Sequence, residues 1–91
     1  MPAPAAPNKF RIASYQISLS WDAIESDDLV GYYIYWGADL PTLMDDGNRI
    51  DIGNVTSYNL WLPSGTSYIC AAAYDQYGLP GVQSNILTEV Y

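Results

Sequence analysis

The sequence predicts an all-β domain, a seven-stranded antiparallel Greek-key β-sandwich. Three observations point there. Ile17-Ser-Leu-Ser-Trp21 alternates apolar and polar residues with the period of a strand that buries one face. After a polar loop, Gly31-Tyr-Tyr-Ile-Tyr-Trp-Gly37 alternates again, with Tyr32, Ile34 and Trp36 on the core side and Tyr33 and Tyr35 on the other. Turn residues punctuate the rest of the chain, and no stretch carries the 3.6-residue period of an amphipathic helix.

The elements follow in order. Residues 1–8 form a Pro/Ala arm containing Pro2, Pro4 and Pro7, a composition that favours an extended, semi-rigid backbone. Residues 9–91 form the domain. Phe10 and Ile12, flanking Arg11, predict a short first strand, and the second ends at Trp21-Asp22. Ala23-Ile-Glu-Ser-Asp-Asp28 reads as a loop, with Leu29 plugging the end of the core. The third strand covers 32–36. A long connection follows, with Pro41 and the Asp-Gly turn signal of Asp45-Asp-Gly-Asn48. Ile50 and Ile52 predict a fourth strand, and Tyr58 and Leu60 a fifth. Leu62-Pro-Ser-Gly65 turns the chain into a sixth strand at 68–74, and the last covers about 85–90.

With these residues in place, positions 8–91 resemble a fibronectin type III domain of the bacterial and phage kind. The resemblance rests on Leu19-Ser-Trp21-Asp22, Asp28-Leu-x-Gly-Tyr32, Gly31-Tyr32-x-Ile34-Tyr35 and Thr56-Ser-Tyr58-x-Leu60. It is extended by Leu62-Pro-Ser-Gly-Thr66-Ser-Tyr68, Tyr74-Asp-x-x-Gly78 and Ser84-Asn85, all in the family's order. It implies an immunoglobulin-like sandwich that serves as a non-catalytic spacer, cohesive surface or ligand platform. It also implies a tyrosine corner at Tyr68, whose hydroxyl bonds back to the backbone just upstream. That places Tyr68, Cys70, Ala72 and Tyr74 on the core face. Counting back from Asp75 instead buries Ile69, Ala71 and Ala73, because a one-residue slip exchanges the faces. The first phase is the expectation adopted, with a bulge as the way to accommodate both. The expected structural core is Trp21, Tyr32, Ile34, Leu60 and Tyr68.

Composition limits the function. The 91 residues make one domain, and 49% hydrophobic with 14% aromatic residues is enough to fill a core. Ten Asp and Glu against Lys9, Arg11 and Arg49 give a net charge of −7. That argues against nucleic acid, which needs clustered cations, and against an anionic membrane. No run reaches membrane-spanning length, and the first residues lack the basic start and apolar core of an export signal. Cys70 is the only cysteine and histidine is absent, so no intrachain disulfide and no Cys–His nucleophile can form. Cys70 is expected to be a buried small hydrophobe.

No metal or cofactor site is expected. Asp22, Glu25, Asp27 and Asp28 do not have EF-hand spacing, and Asp45, Asp46 and Asn48 are ordinary turn residues. A small sandwich has no cleft for a pair of catalytic carboxylates, so the expectation is a protein that is not an enzyme. The surplus lies in the aromatics. Tyr33, Tyr35, Trp61 and Tyr77 are expected to face outward, where Tyr and Trp suit protein interfaces, with sugar stacking as the alternative. Expected partners are therefore a protein in a larger assembly, or carbohydrate. A chain of one domain opening on Met1 without an export signal suggests a virion component: capsid decoration, neck or tail. It would dock through its N-terminal arm and exposed aromatics. The alternative is an accessory spacer or carbohydrate-binding module of a secreted bacterial enzyme or adhesin, located extracellularly or on the cell surface.

Overall fold

Polar–apolar alternation becomes two antiparallel sheets. The computed structural model describes residues 14–90. The arm with Pro2, Pro4 and Pro7 and the strand expected around Phe10 and Ile12 lie outside the described residues. Within them the strands number six: β1 (Ser14–Ser20), β2 (Gly31–Gly37), β3 (Arg49–Gly53), β4 (Ser57–Pro63), β5 (Thr66–Tyr74) and β6 (Leu87–Val90). One sheet pairs β1 with β4, and the other has the order β3-β2-β5-β6. All pairs are antiparallel.

In the smaller sheet the period of two is strict. Leu19 on β1 and Leu60 and Leu62 on β4 are buried, with Tyr15, Ile17 and Tyr58 partly buried beside them. Ser14, Gln16, Ser18 and Ser20 alternate with them on β1, and Ser57, Asn59, Trp61 and Pro63 on β4; all of these are exposed. The buried side chains form one cluster with Ile34 of β2 and Ile69 of β5. Burying a Leu or Ile side chain is worth about 1.5–3 kcal/mol, so each member of this cluster adds substantially to the apolar stabilisation. Of the expected core, Tyr32, Ile34 and Leu60 are buried. Trp21, just past the end of β1, is half-buried; it packs on the cluster and meets Tyr32 edge-on, ring centroids 5.5 Å apart.

β2 departs from expectation. Its faces alternate as predicted, but both are covered. Tyr33 is 6% exposed and Tyr35 0%, so neither is a surface residue. They form a second cluster with Leu43, Cys70 and Ala72, flanked by Met44, Tyr68 and Tyr74. The cause lies in the 38–48 connection, expected to be a turn-rich surface loop. Two 3-10 turns, Leu40–Thr42 and Asp46–Asn48, fold it back over the sheet and bury Leu43 to 1% exposure. Pro41 sits in the first turn of that segment, and Asn48 Nδ2 donates to the Thr42 carbonyl at 2.7 Å to close the strap.

β5 is covered on both faces, so each phase holds in part: Cys70 and Ala72 of the adopted phase are buried, and so is Ile69 of the other. Ile69 and Ala71 pack into the cluster shared with the smaller sheet, while Cys70 and Ala72, with Tyr68 and Tyr74 beside them, take the side under the strap. Tyr68 is therefore half-buried in the second cluster, and among the described residues its hydroxyl makes no corner bond to the upstream backbone. The β2–β5 register is uninterrupted. The irregularity falls in β3 instead, where Tyr32 pairs with Gly53 and Tyr33 with Asp51, leaving Ile52 as the extra residue.

Candidate functional site: the end formed by loops 21–30 and 75–81

Adjacent tyrosines on β2 hold the two loops at one end of the molecule. The Tyr32 hydroxyl accepts the Ile24 amide at 3.0 Å and so ties down loop 21–30. Tyr33 points to the other face of the sheet and donates its hydroxyl proton to the Gly78 carbonyl at 2.9 Å, which ties down loop 75–81. Because successive strand residues face opposite ways, one dipeptide reaches both loops.

Each loop is also braced internally. One carboxylate oxygen of Asp75 accepts the amides of Tyr77 at 2.9 Å and Leu79 at 3.1 Å, an Asx-type turn. Gly78 closes it with φ of 74° and its amide on the Asp75 carbonyl at 2.9 Å. A Cβ at Gly78 would lie 3.3 Å from the Tyr33 hydroxyl, so glycine serves both the left-handed backbone and the close approach. In the other loop, Ser26 accepts the Leu29 amide on its carbonyl and the Asp28 amide on Oγ. The Val30 amide bonds the Tyr74 carbonyl at 3.0 Å, joining that loop to the end of β5.

Tyr33 itself is clamped. Its ring stacks on Tyr74 at 4.3 Å, and the Arg49 guanidinium lies over it, 4.2 Å from the centroid. The Tyr74 hydroxyl donates to Asp51 at 2.7 Å, and that bond, with partial burial, pushes its pKa above the usual tyrosine value. The neighbouring Tyr35 oxygen is the main influence favouring the charged form of Arg49, with Asp46 at 3.3 Å adding to it. Among the described residues the Tyr35 hydroxyl has no partner at hydrogen-bonding geometry.

Between the loops lies a shallow groove of about 220 Å³, with Ile24, Leu29, Leu79 and Pro80 as apolar walls. A second recess of about 240 Å³ adjoins it, beneath Val30 and Tyr77. Asp28 and Asp75 border both. Exposed apolar side chains gather here: Ile24, Val30, Leu79 and Tyr77, the last 77% exposed. Asp22, Glu25 and Asp27 add negative charge, and the one basic residue among those described, Arg49, lies on β3. Among the described residues no group of three or more acidic, His or Cys side chains is arranged to hold a metal.

The residues expected to face outward are thus divided. Tyr77 is on the loop end. Trp61, 61% exposed, is on β4 and lines neither recess of the loop end. Tyr33 and Tyr35 are internal, and the prolines lie outside the described residues. The roles of Tyr32 and Tyr33 as loop anchors have no local sequence signal. Only the loop turns, Asp75-x-x-Gly78 above all, were legible. Cys70 is buried, and desolvation raises its thiol pKa, which disfavours the reactive thiolate. Compared with protein-family models, curated proteins and solved structures, the chain matches none.

Proposed function

We propose that this chain is a non-catalytic interaction module that docks a protein partner through the end formed by loops 21–30 and 75–81. One observation carries this: Tyr32 and Tyr33 fix two loops around an apolar groove before any partner arrives. A surface already ordered loses less conformational entropy on binding than a mobile loop does. The exposed Ile24, Val30, Leu79 and Tyr77 supply the apolar contact, and the carboxylates around them favour a partner with Lys or Arg at its rim. The buried, high-pKa Cys70 and the absence of histidine support a non-catalytic reading.

We assign the fold to a Greek-key sandwich of the fibronectin type III kind. Support comes from the order β3-β2-β5-β6 beside β1-β4, in which the connections β1–β2, β3–β4 and β4–β5 pass from one sheet to the other, and from one apolar cluster drawing on both sheets. Nuclear Overhauser contacts from Leu19 and Leu60 to Ile34 and Ile69 are the expected signature; their absence overturns the assignment.

The assembly we propose is a virion, in which residues 1–7 add a second contact. Its alternative is a larger secreted bacterial protein, and the genes beside this one distinguish the two. The docking test is incorporation into the parent particle or protein. Leu79→Ser with Tyr77→Ser, and separately deletion of residues 1–7, should leave the fold intact and prevent incorporation. Normal incorporation of both variants overturns the proposal.

A further inference from the structure

The outward face of the β1–β4 sheet is unlike the rest of this acidic molecule. Three of its four outward cross-strand pairs are Gln16 opposite Trp61, Ser18 opposite Asn59, and Ser20 opposite Ser57. All six side chains are exposed, and none is charged. Trp61 is the one large apolar group on the face, and it is 61% exposed although it sits in a regular strand. Ser18 Oγ donates to Asn59 Oδ1 at 3.1 Å, which fixes the amide and leaves its Nδ2 protons free to donate outward.

We infer that this face is a binding platform for a neutral oligosaccharide. The C–H face of a pyranose ring is apolar and flat and stacks on an indole, while its rim of hydroxyls seeks amide and hydroxyl partners. Cross-strand neighbours stand about 5 Å apart and same-face neighbours along a strand about 7 Å. Gln16 and Asn59 therefore flank Trp61 at the distances where hydroxyls of a stacked ring, or of the next ring in the chain, present themselves. Ser18, Ser20 and Ser57 extend the same polar floor along the strands, so the platform suits a chain of sugars over a monosaccharide.

The other occupants fit less well. A protein interface gathers several large anchors around a dry centre, and here one indole is ringed by short polar side chains. A charged polymer finds no counter-charge on the face. This platform is separate from the loop end, so each stands or falls without the other.

The test is titration of the intact 91-residue chain with neutral hexasaccharides of β-1,4-glucose, α-1,4-glucose, β-1,4-xylose and β-1,4-mannose. Readouts are the three indole N–H resonances in two-dimensional NMR and isothermal calorimetry. At least one hexasaccharide should shift the Trp61 indole and leave those of Trp21 and Trp36 in place. Trp61→Ala should weaken that binding at least about tenfold, a stacking loss of about 1.4 kcal/mol. Gln16→Ala and Asn59→Ala should weaken it less, and Leu79→Ser should leave it unchanged. These substitutions sit on exposed positions and preserve the core, which the aliphatic NMR spectrum verifies. Failure of all four sugars to move the Trp61 resonance at about 1 mM overturns the inference. So does binding that survives Trp61→Ala, or a shift that Leu79→Ser abolishes.

Discussion

Leu43→Ala tests whether the 38–48 strap is part of the folded interior. Leu43 is 1% exposed and packs in a cluster with Tyr33, Tyr35, Cys70 and Ala72. Leu→Ala in a packed interior costs about 2–5 kcal/mol, the upper half applying where the surroundings cannot collapse. Here the side chain comes from a strap of 3-10 turns, and Met44 beside it can shift into the space, so the lower half applies. We expect about 2–3 kcal/mol. A domain of 91 residues holds about 5–14 kcal/mol in total, so the loss is substantial. Urea unfolding followed by tyrosine and tryptophan fluorescence measures it, with the midpoint falling and the m-value unchanged. In thermal unfolding the same loss lowers Tm by about 10–20 °C. A change below about 0.5 kcal/mol is what an exposed side chain gives, and it would refute the burial of Tyr33 and Tyr35 beneath this segment.

Three further outcomes follow from the same geometry. Gly31→Ala places a Cβ 2.6 Å from the Tyr74 hydroxyl and 2.8 Å from its ring, which is held by Tyr33 and Asp51, so a loss of about 1–3 kcal/mol is expected in denaturant unfolding. A loss under about 0.5 kcal/mol would mean that the Tyr74 stack is loose. The native Tyr74 pKa is raised, so the folded state holds this proton more tightly than the unfolded chain. Its contribution is complete below the ordinary tyrosine pKa of about 10 and disappears as pH rises through the native value. Tyr74→Phe should therefore flatten the alkaline fall in stability, and an unchanged alkaline limb contradicts the Asp51 bond. Cys70 should resist thiol reagents in native buffer and react at full rate in denaturant; rapid native labelling would show the second cluster to be open.

Much of the strand layout was legible because period-two alternation and turn chemistry are local signals. Leu19, Ile34 and Leu60 lie where alternation places them, and all six described strands coincide with predicted ones. The errors share one cause. Gly31-Tyr-Tyr-Ile-Tyr-Trp36 and Ile69-Cys-Ala-Ala-Ala-Tyr74 are near-continuous apolar runs, the mark of strands covered on both faces. Treating them as one-sided sent Tyr33 and Tyr35 to solvent and forced a choice between two phases for β5. Both faces of β5 are apolar, so alternation alone could not decide which meets the smaller sheet. What covers the outer face is Leu43, carried there by a strap whose turns were visible but whose direction depends on tertiary packing. The candidate site was half legible: Tyr77 and the Asp75 turn stood out, whereas the anchoring hydroxyls of Tyr32 and Tyr33 are long-range bonds that no local pattern encodes. Trp61 was visible as a strand aromatic, but its neutral polar surroundings emerge only from the β1–β4 register.

Order in the loop end before a partner binds is expected to depend on the hydroxyls of Tyr32 and Tyr33. Backbone amide order parameters of residues 22–29 and 75–81 in the free protein test it most directly, alongside those of Tyr33→Phe. We predict values of about 0.8 or more in both loops, close to those of the strands. Removing the Tyr33 hydroxyl should lower them at residues 76–79 and leave 22–29 unaffected. Values below about 0.6 in the unmodified protein, or loops indifferent to Tyr33→Phe, would contradict it.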